Sequence, residues 1–410
     1  MSAINRNKLF VASRVALIAT AMTFAFRASL EGIWGEAFHL SKEQIGWIFA
    51  PAFWGFTLAQ IFGGTLVDIL GMKKLLGLAF LGQVAGIITY LVAKDATTLF
   101  IGTVFIGVGN GMVEAACNPL VVTLYPENKT TMLNRFHVWF PGGIALGGLL
   151  SYFMIDELHL DWRILISTLF IPVIIYGIIF WKLELPKTER VAKGISTKEM
   201  FASCLNPLYL VMLICMLMTA ATELGTGTWI NALLSGSGVS GIIILVFING
   251  IMALGRSFAG PVVHRINPNG MLIFSAVFSG IGLLLLSQSS GYAAFGAAFI
   301  FAIGICFFWP TMLGFVSEYL PKTGALGLNL MGGGGMFSVS LIIPIMGRWF
   351  DEAKAKAVAD GVNSAAADAA AGSNTFLKVA IMPAILVVAF VIIYFVRKKS
   401  AVSESRPSVA

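Results

Sequence analysis

Five charged side chains interrupt long apolar stretches of this sequence: Arg27, Glu31, Glu114, Glu223 and Arg256. An ionised group at the centre of a hydrocarbon layer is unfavourable by roughly 2.5–3.5 kcal/mol even on a lenient scale. Each of these residues therefore needs an oppositely charged partner, a water-filled cavity or a proton. They are the first candidates for chemistry in this chain.

Glu114 lies deep in one of these stretches, and Asn118 follows it by one turn on the same face of the predicted helix. A buried carboxyl group can take up and release a proton near neutral pH. We predict that Glu114 carries a coupling proton and that Glu31 is the second candidate for this role. A structural ion pair between Glu114 and Arg27 is the alternative, and the two roles can coexist.

Arg27 and Glu31 are four residues apart and share a helix face. This spacing predicts either a neutralising pair that fixes the first helix or a solute clamp, in which Arg27 donates hydrogen bonds and Glu31 accepts them. A sugar offers hydroxyl groups and an apolar face, so we expect polar and aromatic side chains to share its site. The predicted substrate-binding residues are Arg27, Glu31, Asn118, His137, Glu223, Trp229, Phe308 and Trp309. The alternatives are a structural hydrogen bond for His137 and lipid-facing or interfacial packing for the aromatic residues.

The composition places these residues in a membrane protein. Of 410 residues, 58% are hydrophobic and only 11% are charged, whereas a soluble chain carries about 25% charged residues. The outer surface must therefore face lipid. The net charge of +7 is concentrated in loops and at the ends, a pattern of membrane orientation and not of nucleic-acid binding.

Several function classes are disfavoured by what the sequence lacks. The four cysteines lie in or beside apolar runs without a CxxC pair, which predicts buried apolar side chains and neither a metal site nor a disulfide framework. The chain has no GxxxxGK[ST] loop, zinc motif or soluble domain. Nothing resembles a nucleophile–base pair. We therefore expect neither an enzyme nor a receptor, and no cofactor besides a coupling proton.

The apolar runs predict an all-α membrane protein of twelve transmembrane helices, because about 20 apolar residues cross a bilayer and only helices satisfy the backbone there. The expected organisation is two pseudo-symmetric six-helix bundles, at 1–183 and 207–397, with a linker at 184–206 and a tail at 398–410. The predicted spans are 10–36, 44–67, 74–93, 97–124, 132–155, 163–183, 207–233, 239–262, 269–288, 291–319, 323–348 and 376–397.

Lys and Arg fix the expected orientation. With the N-terminus inside, 17 of the 27 basic residues lie in inside segments and 7 in outside segments, so the positive-inside rule places both termini in the cytoplasm. We expect a multi-pass protein of a bacterial-type inner membrane that works as a monomer in the lipid bilayer on a small-molecule solute.

The two halves repeat some features. Asn118-Pro119 in the fourth span corresponds to Trp309-Pro310 in the tenth.

Between the second and third spans, Asp68, Lys73 and Lys74 belong to a segment GxxxDxxGxKK. This segment resembles the loop signature of the major facilitator superfamily. The resemblance implies that these three residues form a cytoplasmic gate, for which Arg256 and Arg265 are the second-half candidates. Where the family usually has a basic residue just after the Asp, this chain has Ile69.

The stretch from Gly109 to Pro119, which contains Glu114 and Asn118, is similar to the GxGxxExxxNP segment of the fucose/galactose/glucose:proton symporter branch. The resemblance implies a proton-carrying Glu114 and a sugar site beside it. The acidic residue that this branch has in its first helix aligns with Ala28, and Arg27 and Glu31 stand nearby instead. We predict proton-coupled uptake of a monosaccharide or similar hydroxylated solute by alternating access. The alternatives are a carrier of an organic anion or sugar acid with Arg27 as counter-charge, and an uncoupled facilitator.

Overall fold

The computed structural model describes residues 4–40, 42–234 and 241–404. Six long apolar helices form the N-terminal half. They are α1 (Arg6–Ala37), α2 (Gln44–Leu70), α3 (Met72–Leu91), α4 (Ala96–Leu124), α5 (Lys129–Glu157) and α6 (Trp162–Lys182). Two short helices then lie in the linker, α7 (Glu189–Ala192) and α8 (Thr197–Cys204).

The C-terminal half contains α9 (Pro207–Ile230), α10 (Gly241–Ser257), α11 (Ala259–Leu286), α12 (Ala293–Tyr319), α13 (Pro321–Ala359) and α14 (Ser364–Arg397). Within the described residues, eleven helices are long and apolar enough to cross a membrane, and a shorter apolar helix covers Ile243–Ser257. The all-α membrane fold is therefore confirmed. The count of twelve stays a prediction, as do the domain boundaries, because the start of the eighth predicted span, 239–240, lies outside the described residues.

The sequence supplies capping residues at the starts and ends of several helices. The Asp95 side chain accepts a hydrogen bond from the backbone N–H of Thr98 at the start of α4, and Asn206 does the same for Leu208 at the start of α9. Gly71 ends α2 with a φ of 84°, a conformation that glycine adopts without strain.

The two halves meet mainly along α2 and α13, where glycines allow a close approach. A Cβ at Gly64 would lie 2.9 Å from Cβ of Asn329, and one at Gly333 would lie 2.9 Å from Ile61. Small residues that let backbones approach are the usual basis of helix packing in membranes. Gly332 and Gly333 therefore pack against α2 of the other half, whereas Gly334 and Gly335 face Leu213 and Trp309 of their own half.

Candidate functional site

Glu114 lies at the centre of a hydrogen-bonded chain within the N-terminal half. It is buried, and its Oε2 accepts hydrogen bonds from Gln60 of α2 at 3.2 Å and from Asn118 of α4 at 3.3 Å. Oδ1 of Asn118 lies 3.0 Å from Nε2 of His137 in α5, so this ring nitrogen is the donor. The chain connects a carboxyl group on one helix to an imidazole on the next.

Arg256 lies opposite this chain and forms a buried ion pair with Glu223. Its Nη2 donates to Oε1 of Glu223 at 2.8 Å, and the side chains are only 1% and 5% exposed. Glu223 lies in a π-helical turn, Ala221–Gly225, inside α9. Such turns add a residue to the helix and are frequent at functional sites.

Backbone carbonyls complete the surroundings of Arg256. Nε donates to the carbonyl oxygen of Cys306 at 2.6 Å, and Nη1 donates to that of His137 at 3.0 Å. The second bond crosses from the C-terminal to the N-terminal half. Arg256 thus joins the two halves at the position where Glu114 and His137 lie.

A small cavity separates these groups. It is lined by Phe56, Glu114, His137, Phe140, Glu223, Leu224, Arg256, Trp309 and Met336. Two buried polar atoms of its wall, Oε2 of Glu223 and Nε1 of Trp309, have no hydrogen-bond partner among the described residues. One is an acceptor and the other is a donor. Unpaired buried polar groups are rare in folded proteins, so this cavity is a candidate site for a polar ligand.

Five of the predicted site residues are brought together here: Glu114, Asn118, His137, Glu223 and Trp309. Phe308 is fully buried beside them but does not line the cavity. Trp229 lies elsewhere, because its Nε1 donates to the carbonyl oxygen of Ile343 at 3.0 Å and its ring packs on Gly347. Trp229 therefore joins α9 to α13.

Arg27 does not reach Glu114, so the alternative of an ion pair between them is wrong. Thr23 accepts a hydrogen bond from Asn110 at 2.8 Å, which places these two residues at one level of the antiparallel helices α1 and α4. Arg27 follows Thr23 by one turn, and Glu114 follows Asn110 by one turn. Because the two helices are antiparallel, these turns lead in opposite directions. The offset of eight residues separates them by about 12 Å along the helix axes.

Arg27 is instead buried inside the N-terminal half. Its guanidinium lies over the Phe24 ring, 4.6 Å from the centroid, beside the Tyr90 hydroxyl. Its Nη1 has no hydrogen-bond partner in the part of the chain that the structure describes. Glu31, half-buried, lies a further turn from the centre. Neither residue lines the central cavity.

Two of the predicted gate residues, Asp68 and Lys73, make contacts near the linker. Asp68, at the end of α2, accepts hydrogen bonds from Nε of Arg190 at 2.6 Å and from the Thr188 hydroxyl at 2.5 Å, and both donors lie in the linker. Lys73 donates to the carbonyl oxygens of Trp181 and Leu183 at the end of α6. These contacts stabilise the end of the molecule at which the linker lies. We call this end the linker face.

Lys74 and Arg265 are exposed on the linker face. Arg256 is not on that face, which contradicts its predicted role in a cytoplasmic gate. The helical path does not end at Ser257: after a break at Phe258 it continues from Ala259 to a kink at Asn267, where φ is 53°. Arg256 is therefore central along this path.

Direct contacts between the halves close the linker face. Nζ of Lys129 donates to Glu189 of the linker at 2.8 Å and to the carbonyl oxygen of Ser317 at 3.1 Å. The backbone N–H and hydroxyl of Thr130 donate to Oε1 of Glu318 at 3.0 and 2.6 Å. The linker thus lies against both halves at the ends of α4, α5, α12 and α13.

Gln60 was not among the predicted site residues, although an amide inside an apolar run is a detectable signal. Phe56, Phe140 and Met336, which line the cavity, were not predicted either, because they look like any other apolar residue of a membrane helix.

Comparisons with known proteins agree with this architecture. The structure of the Escherichia coli fucose:proton symporter FucP, in the outward conformation, superposes with a TM-score of 0.69 over 92% of this chain and 98% of that one, at 16% identity. At this identity the likeness concerns the fold alone.

Two curated relatives match shorter segments. D-xylose-proton symporter-like 2 of Arabidopsis thaliana is 27% identical over 158 residues, which are 37% of this chain and 30% of that protein. The gallate transporter of Pseudomonas putida is 26% identical over 164 residues, 40% of this chain and 35% of that protein. The matches thus span about a third of the length of these relatives.

The family model described as Major Facilitator Superfamily matches residues 13–341, most of the chain. With the helical architecture and the loop segment around Asp68, this match identifies the chain as a transporter and not an enzyme: it belongs to the major facilitator superfamily.

Proposed function

We propose that this chain is a proton-coupled symporter of a neutral hydroxylated solute, such as a monosaccharide, and that Glu114 carries the proton. The observation that carries the proposal is the distribution of charge around the cavity. Arg256 is neutralised by Glu223, whereas the described side chains that bond to Glu114 are the neutral amides Gln60 and Asn118. A buried carboxylate without a cation needs another neutralising partner, and a proton supplies it.

The unpaired groups of the cavity favour a hydroxyl over a carboxylate as ligand. A hydroxyl both donates and accepts, so one could donate to Oε2 of Glu223 while a neighbouring oxygen accepts from Nε1 of Trp309. An ionised carboxylate only accepts and would meet Glu223 with like charge. The rings of Phe56, Phe140 and Trp309 supply the apolar surface that suits the C–H face of a sugar.

The transport cycle in this proposal is alternating access. The solute site lies between the halves, and the linker face is closed by Lys129 and Thr130. Solute and proton would enter from the opposite face, after which the linker face opens. The basic residues on the linker face assign it to the cytoplasm in this scheme, which makes the direction uptake. The likeness to the fucose:proton symporter FucP and to D-xylose-proton symporter-like 2 supports this substrate class.

Uptake into proteoliposomes tests the proposal. Purified protein is reconstituted, and accumulation of radiolabelled L-fucose, D-xylose and D-glucose is compared with that of gallate, with and without an inward proton gradient. We expect a sugar to accumulate only when the gradient is present. Equal uptake with and without the gradient would show a facilitator, and accumulation of gallate alone would refute a neutral solute.

A second candidate, transport of an organic anion, is favoured by the buried Arg256 and by the name of the gallate transporter. In this scheme the counter-charge is Arg256 and not Arg27, which lies outside the cavity. The anion would have to displace Glu223 from Arg256. Arg256→Lys should then weaken gallate uptake strongly, since lysine cannot replace a two-pronged donor.

A further inference from the structure

Two prolines lie four residues after the two backbone carbonyls that bind Arg256. Pro141 follows His137, and Pro310 follows Cys306. Proline has no N–H, and its ring pushes away the carbonyl four residues before it. Each proline therefore deprives one carbonyl oxygen of its usual donor within the helix.

Arg256 uses both of these carbonyls. Nε binds the oxygen of Cys306 at 2.6 Å and Nη1 that of His137 at 3.0 Å, while Nη2 binds Glu223 at 2.8 Å. Each guanidinium nitrogen thus has an acceptor, and the three acceptors come from α12, α5 and α9. A guanidinium that is 1% exposed needs this degree of hydrogen bonding, since a buried charge is tolerated only when it is paired and bonded.

We propose that Pro141 and Pro310 are positioning residues for Arg256. They keep the carbonyls of His137 and Cys306 free of helical hydrogen bonds, so that both oxygens point at the guanidinium. An alanine at either position would supply an N–H that competes with Arg256 for the carbonyl. Arg256 would then lose one fixed acceptor, and its alignment with Glu223 would change.

The same arrangement occurs a third time in the chain. Pro119 follows Ala115 by four residues, and the carbonyl oxygen of Ala115 accepts a hydrogen bond from Nδ2 of Asn329 at 3.1 Å, across the two halves. Pro344 provides the contrast, because no described side chain donates to the carbonyl of Ser340. A helix proline is thus not always joined to a polar side chain, and Pro344 serves as the matched control.

Pro141 and Pro310 have different places in the transport cycle. His137 belongs to the N-terminal half, whereas Arg256, Cys306 and Glu223 belong to the C-terminal half. Pro141 therefore keeps the His137 carbonyl available to Arg256, and this hydrogen bond between the halves must break when they move apart near the cavity. Pro310 maintains an acceptor that moves with Arg256 and holds it during that movement.

A thermal double-mutant cycle tests the proposal without knowledge of the solute. Pro141→Ala, Pro310→Ala and Pro344→Ala are each made in the wild type and in Arg256→Met, and the midpoint of unfolding is measured in detergent. We expect Pro141→Ala and Pro310→Ala to lower the midpoint by about 2–4 °C in the wild type. In Arg256→Met the loss should vanish or reverse, because alanine is the better helix former.

Equal shifts of the midpoint in both backgrounds would overturn the proposal, because a proline that only shapes its helix acts regardless of Arg256. Pro344→Ala should shift the midpoint equally in both. If Pro310→Ala alone does not fold, the double variant with Arg256→Met should still yield folded protein. Arg256→Met alone is the reference, and failure of the double variant to fold where Arg256→Met alone folds would likewise contradict a role through Arg256.

Discussion

Nη2 of Arg256 lies 2.8 Å from Oε1 of Glu223, and this ion pair is buried between the two halves of the transporter. Removing one partner of such a pair leaves a charge without compensation, typically at a loss of about 3–5 kcal/mol. We therefore expect Glu223→Ala to lower the free energy of unfolding by this amount. Chemical denaturation measures the effect. Adding Arg256→Met should restore part of the stability, and a double variant as unstable as Glu223→Ala would refute the pairing argument.

Trp309 should determine solute affinity through its indole N–H. Trp309→Phe keeps the aromatic face but removes the donor, so we expect KM for sugar uptake to rise about tenfold, the equivalent of one lost hydrogen bond of about 1.4 kcal/mol. The control is Trp229→Phe, whose indole bonds to the Ile343 carbonyl away from the cavity. An unchanged KM in Trp309→Phe would remove this residue from the site.

Two glycines of α12 should respond very differently to alanine. A Cβ at Gly304 would lie 2.1 Å from the backbone N of Ser279, whereas a Cβ at Gly296 would meet no atom of another described residue within 4 Å. Gly304→Ala should therefore separate α12 from α11 and destabilise the protein by about 1–3 kcal/mol. Gly296→Ala should be neutral or stabilising in the same unfolding assay. Similar results for the two variants would contradict this close packing.

Closure of the linker face should depend on pH through Glu189. Burial would raise the pKa of this carboxyl, but hydrogen bonds and charge from Lys129 and Lys193 prevail and lower it. Because the folded pKa is lowered, the stabilisation of the closed face is complete above the ordinary glutamate pKa of about 4.3. It is lost as pH falls below that value and through the folded pKa.

A cysteine at Val122, which lines the cavity beside Glu189, reports this opening by its alkylation rate once the native cysteines are replaced. The reactive thiolate itself becomes scarce in acid, so the rate is divided by that of an exposed cysteine at the same pH. This normalised rate should rise as pH falls below the ordinary glutamate range. Asp68 and Glu318 are two further carboxylates that make contacts on this face, so Glu189→Gln is needed to isolate the effect. That variant should show a higher rate at neutral pH and a smaller acid rise. An unchanged profile would exclude Glu189 from closure.

Long apolar runs predicted the helical fold, and polar residues inside those runs predicted much of the candidate site. A carboxylate in an apolar run is conspicuous, and Glu114 and Glu223 were found by this signal. The direction in which a membrane helix turns its side chains is harder to predict, since the lipid side and the packed side are both apolar. That ambiguity allowed the interpretation of Arg27 as a solute ligand, although it lies inside the N-terminal half.

Arg256 was misplaced for a different reason. Neither the break at Phe258 nor the continuation from Ala259 can be located within an apolar run, so the end of the span was drawn too close to Arg256. The acceptors of Arg256 are backbone carbonyls, which leave no trace of their own in a sequence. Only Pro141 and Pro310, four residues further along, indicate where such carbonyls are free.

The proton-carrying role of Glu114 is tested most directly by Glu114→Gln in proteoliposomes. The amide keeps the shape and hydrogen-bonding capacity of the side chain but cannot exchange a proton. We predict that this variant still exchanges labelled for unlabelled sugar across the membrane, yet no longer accumulates sugar in response to an inward proton gradient. Accumulation at the wild-type level under the same gradient, with exposed Glu36→Gln as the matched control, would contradict the account.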